Sequence, residues 1–104
     1  MPIVEYRIPA GHYSEEAVAT LLRKSCALFA DVLECPIDRV RAVAHEVSPV
    51  AMCVAGIMMS EGAVAAPYFT FFLLDGRPEE LRHRLLAGFT DVVNCAGLWA
   101  RELG

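Results

Sequence analysis

The first residues alternate. Ile3, Glu5 and Arg7 fall on one side of an extended chain and Val4, Tyr6 and Ile8 on the other, which predicts a strand with unlike faces. Pro9-Ala10-Gly11 breaks it. The period then changes. Val18, Leu21, Leu22, Cys26, Phe29, Val32 and Leu33 recur at three- and four-residue steps, the stripe of a helix lying on a sheet. Ser14 is placed to cap that helix, and Glu15 and Glu16 suit the positive end of its dipole. Pro36 ends it. Alternation returns from Arg39 to Val47, a second strand that a crossing helix makes parallel to the first. Ala51 to Met59 reads as a short buried strand and Ser60-Glu61-Gly62 as a turn. Tyr68 to Leu74 is a strand apolar on both faces, hence central or at an interface. Asp75-Gly76-Arg77-Pro78 turns into a second helix, with Leu81, Leu85, Phe89, Val92 and Val93 inward and Arg82, His83 and Arg84 in solvent. Gly97 is its expected end.

The two halves echo each other. Pro2 and Pro67 stand as far apart as Gly11 and Gly76, and strand-like runs of equal length lie between proline and glycine in each half. After each glycine come a basic side chain (His12, Arg77) and an acidic pair (Glu15-Glu16, Glu79-Glu80). Such self-similarity predicts two strand–turn–helix copies, about 1–60 and 66–104, within one domain spanning 1–104. The second copy lacks room for a last strand.

Composition sharpens this picture. At 104 residues the chain is one domain, and 56% hydrophobic residues exceed what a core of that size needs. The surplus predicts a subunit interface, and so a homo-oligomer. No apolar run reaches the ~20 residues of a membrane helix, and the first residues do not read as a basic, apolar secretory signal. A net charge of −4 with scattered basic residues argues against nucleic acid as a partner. Cys26, Cys35, Cys53 and Cys95 form no CxxC pair and read as buried free thiols of a cytoplasmic protein. His12, His45 and His83 lack zinc-site spacing, so no metal is expected.

The chemistry starts at Met1-Pro2. Removal of Met1 would leave a rigid secondary amine in place of an amide. An ordinary α-amino group has a pKa of ~8 and a free pyrrolidine lies higher, while burial and nearby cations lower it. Pro2 is therefore a candidate general base. The plain alternative is a structural start to the chain. Arg41 and Arg77 are candidate carboxylate binders; the plain readings are a solvated or ion-paired strand residue for Arg41 and a helix-start partner of Glu80 for Arg77.

In this order, Pro2 opening a strand, Gly11 closing it, Cys35-Pro36-Ile37-Asp38-Arg39-Val40-Arg41, and Thr70-Phe71-Phe72 through Gly76-Arg77-Pro78-Glu79-Glu80-Leu81 resemble the tautomerase superfamily. Its members include 4-oxalocrotonate tautomerase, macrophage migration inhibitory factor, malonate semialdehyde decarboxylase and cis-3-chloroacrylic acid dehalogenase. The resemblance covers most of the chain. It implies an α/β fold, a β-α-β pseudo-repeat whose mixed sheet carries two helices on one face, assembled as a trimer. It also implies enol–keto tautomerisation of a small carboxylate without a cofactor, with Pro2 as base and Arg41, Arg77 and His12 as substrate-binding residues. Two positions depart from the pattern. His12 stands where 4-oxalocrotonate tautomerase has arginine, and Phe29 where the dehalogenase has a functional histidine. The alternatives are decarboxylation or hydration of a small keto or unsaturated acid, and a silent relative acting as a binding protein.

Overall fold

A computed structural model describes residues 2–63, 68–73 and 78–95. The expected β-α-β order is present. Strand β1 (Ile3–Pro9) leads into helix α1 (Glu15–Leu33), which crosses to strand β2 (Arg41–Val47). A small hairpin follows, β3 (Cys53–Val54) and β4 (Ile57–Met58), then β5 (Tyr68–Phe72) and helix α2 (Glu79–Cys95). The main sheet has the order β2-β1-β5, with β1 parallel to β2 and antiparallel to β5.

The alternation of β1 decides which face the helices cover. Val4, Tyr6 and Ile8 are buried against Leu21, Phe29, Val32 and Leu33 of α1 and Leu85, Phe89 and Val93 of α2. Phe69 and Phe71 join this core from β5; the Phe29 and Phe89 rings meet edge to face at 5.0 Å. Both helices thus lie on one face of a mixed sheet. Their close approach occurs at Gly88, where a Cβ would stand 2.8 Å from the Leu28 methyls. The α1 caps follow the sequence. Ser14 Oγ accepts from the Ala17 N–H at 3.1 Å, and Glu34 ends the helix in the left-handed conformation.

Several expectations are corrected. The stretch from Ala51 to Met59 is not one buried strand. Ala55 and Gly56 have φ of 54° and 83°, a left-handed pair that folds the segment into the β3–β4 hairpin and leaves Ile57 50% exposed. Ser60-Glu61-Gly62 turns by way of a 3-10 helix, Met59–Glu61, closed by Gly62. The second strand begins at Arg41, because Ile37–Arg39 close a 3-10 turn first. Of the two places expected for strand β5, the sheet centre is excluded: among the described residues it edges the sheet, with Phe69 and Phe71 covered and Tyr68 and Phe72 exposed. Nor are the cysteines uniformly buried. Cys26 and Cys35 are half-buried and Cys53 is exposed in the hairpin. The expected turn at Asp75-Gly76 and the helix end at Gly97 lie outside the described residues.

Candidate active site

Pro2 stands immediately before the central strand. Parallel pairing sets Ile3 of β1 opposite Arg41 of β2, and the Arg41 N–H donates to the Pro2 carbonyl at 3.1 Å. Pro2 is half-buried and Arg41 exposed. The candidate base and one candidate carboxylate binder are thus neighbours at one end of the sheet. This follows from the crossover: α1 returns the chain to the level at which it began, so both parallel strands start side by side.

His12 is placed otherwise. It lies in the turn beyond the far end of β1, exposed, with its ring 6.2 Å from that of Tyr13. The seven-residue strand between them puts it about 20 Å from Pro2. Within one chain His12 does not join Pro2; only a neighbouring copy can bring such a histidine there. Arg77 lies outside the described residues.

The face of the sheet away from the helices carries a polar cluster the sequence did not announce. Glu5 Oε1 stands 3.4 Å from Arg7 Nη1 and 3.7 Å from His45 Nε2. Glu5 and Arg7 share a face by alternation, but the β1–β2 register that adds His45 is legible only in the fold. His45 faces Glu5, not its chain neighbour Glu46. Tyr68 and Phe72 share this open face. A shallow depression lined by His83, Leu86, Ala87, Thr90 and Asp91 lies on the solvent side of α2 and includes none of the candidate residues.

Two buried groups are shifted. Desolvation pushes the Tyr6 hydroxyl up to about 12, although the Ser25 hydrogen bond pulls the other way. Burial also raises the Cys26 thiol. Neither borders Pro2, and both belong to the helix-covered side of the domain. Among the described residues no three His, Cys, Asp or Glu side chains gather as metal ligands, and no helix is long and apolar enough to cross a membrane.

No protein-family model matches the chain, and no curated protein sequence does. Solved structures do. Pt0534 inactivated by 2-oxo-3-pentynoate superposes with a TM-score of 0.81 at 23% identity, over 95% of this chain and 78% of that one. Native fused 4-OT gives 0.81 at 24%, over 90% of this chain and 74% of that one. The chain has the tautomerase-type fold. A wild-type fused 4-OT solved as a symmetric trimer shares it, with a TM-score of 0.74 and 22% identity over 90% of this chain and 74% of that one. In this fold Pro2 and Arg41 meet at the start of the parallel pair, and among the described residues no helix covers the opposite sheet face.

Proposed function

We propose that the chain is a tautomerase of the superfamily it resembles, interconverting enol and keto forms of a small carboxylate, with the Pro2 nitrogen as general base once Met1 is removed. One observation carries the reading: Pro2 heads the central strand with Arg41 bonded to its carbonyl, in a fold shared with fused 4-OT. The neutral pyrrolidine nitrogen takes the enol hydroxyl proton as the carbonyl forms. The carbon–carbon double bond accepts a proton at carbon, returned by the same nitrogen. Proton and electrons balance without a co-reactant. Arg41 holds the substrate carboxylate and favours the enolate-like charge of the transition state. Arg77 is a second clamp, and His12 of a neighbouring copy a third contact. A trimer, as in the fused 4-OT structure, is the assembly that supplies such a neighbour.

The test is ketonisation of phenylenolpyruvate. Pro2→Ala lowers turnover by roughly a hundredfold or more, the scale of a positioned proton-transfer group. Unchanged turnover in a folded, Met1-free variant contradicts the assignment. Arg41→Ala raises the Michaelis constant if the guanidinium only binds the ground state, and lowers turnover too if it stabilises the enolate.

A further inference from the structure

We propose that His45 makes the assembly of this chain pH-sensitive: once protonated, it adds a charge that Glu5 cannot answer on a covered sheet face, and neighbouring copies separate. The inference rests on the trimer proposed above, with this face turned to the other copies. Strand register carries it. Across β2, β1 and β5, Val43, Glu5 and Thr70 form one row, and His45, Arg7 and Tyr68 form another. Ala44, Tyr6 and Phe69, the row between them, pack in the helix-side core. Alternation therefore turns both outer rows to the face without helices. There Arg7 and His45 converge on a single oxygen. Glu5 Oε1 stands 3.4 Å from Arg7 Nη1 and 3.7 Å from His45 Nε2.

With His45 neutral, Glu5 and Arg7 answer each other and the cluster carries no net charge. Histidine is the side chain that gains its proton between about pH 8 and pH 5. A protonated His45 then has to share an oxygen that already holds Arg7. The other ionisable groups on this face of the main sheet are Arg41, at the opposite end of β2, and Tyr68 of β5. Neither is a second carboxylate, and Glu46 alternates to the helix side. In a separate chain water solvates the added charge, since the His45 side chain is 45% exposed. Covered by a neighbour, the charge loses that water and meets its own copies around the assembly. The separate chain thus binds the proton more readily than the trimer, so assembly strengthens as pH rises. Aromatic residues beside the cluster give the reason to cover the face: Tyr68 is 56% and Phe72 53% exposed.

Sedimentation of the full chain at about pH 8 and about pH 5.5 tests this, with far-UV circular dichroism reporting the fold. The unaltered chain is expected to be trimeric at the higher pH and to need roughly tenfold more protein or above to assemble at the lower. His45→Gln, which cannot gain the proton, should assemble equally at both. His45→Lys, charged at both, should be as weak at the higher pH as the unaltered chain is at the lower. Glu5→Gln removes the anion and should assemble poorly at both. His12→Gln and His83→Gln should keep the step, because His12 lies in the turn beyond β1 and His83 on the solvent side of α2. A step of unchanged size in His45→Gln overturns the proposal, as does a step abolished by His12→Gln or His83→Gln. Tight assembly of Glu5→Gln at the higher pH, or dissociation that comes with lost circular dichroism, also overturns it. A trimer equally stable at both pH values refutes the switch and leaves the assembly standing. A monomer at both refutes the assembly and the switch with it, while Pro2-dependent ketonisation decides the tautomerase reading separately.

Discussion

Tyr6 shows how much one buried hydroxyl asks of its surroundings. Its ring fills the centre of the core, and its oxygen stands 2.6 Å from Ser25 Oγ. Ser25 donates its own hydrogen to the Leu21 carbonyl at 2.7 Å, so the Tyr6 hydroxyl is the donor to Ser25. Removing the acceptor strands a buried donor, whereas removing the donor leaves Ser25 paired. Ser25→Ala is therefore expected to destabilise by ~1–3 kcal/mol and Tyr6→Phe by ~1 kcal/mol, read from urea unfolding at fixed protein concentration. The pH dependence has a definite sign. The folded value of Tyr6, about 12, lies above its ordinary 10.0. The stabilisation is complete below pH 10 and is lost as pH rises through 12. Melting temperatures across that window should fall, and Tyr6→Phe should flatten the slope; an identical slope in both proteins removes Tyr6 as its source. The apolar stripe of α1 was legible in Leu21, Phe29, Val32 and Leu33. Ser25 was not, because a helical serine that bonds the carbonyl four residues back can enter a core that hydropathy alone assigns to other side chains.

At the scale of elements, legibility follows how local the deciding forces are. The caps and stripes of the helices depend on residues within a turn or two, and they were readable. Ser14→Ala should cost ~1 kcal/mol through the lost Ala17 N–H bond, measured as a shift in the unfolding midpoint. No shift would mean that water replaces the cap without cost. The β3–β4 hairpin is hidden from hydrophobic patterning because Met52 and Met59 are apolar and buried and look continuous with their neighbours. The turn hangs instead on two left-handed residues, Ala55 and Gly56, and only the glycine advertises that conformation. Strand β5 carries aromatic residues on both faces, which periodicity alone assigns either to the middle of a sheet or to an interface. Its position at the edge comes from pairing with β1, a long-range fact. The same register brings Arg41 and Phe72 to either side of Ile3 and His45 to Glu5, so much of the candidate site is a product of topology.

Among the described residues, both helices lie on one face of the main sheet and none on the other. Glu5, Arg7 and His45 make that other face polar at the centre, while Tyr68 and Phe72 keep it apolar along β5. A further copy covering this face would hide that apolar area and account for the hydrophobic surplus of the sequence. Light scattering at micromolar concentration should report a trimer, and Tyr68→Glu should shift it towards smaller species by placing a charge in the interface. A monomer throughout would contradict the assembly and remove the source of a neighbouring His12. The proposed chemistry needs, whatever the assembly, a free, nucleophilic Pro2 nitrogen at the head of β1. Pt0534 has been solved after inactivation by 2-oxo-3-pentynoate, and treating this chain with that electrophile tests whether a free Pro2 nitrogen is there to be labelled. Intact-mass and peptide analysis after treatment should show a chain without Met1, one adduct on Pro2, and tautomerase activity lost in step with labelling. A retained Met1, or an adduct on another residue with activity unchanged, would contradict the account.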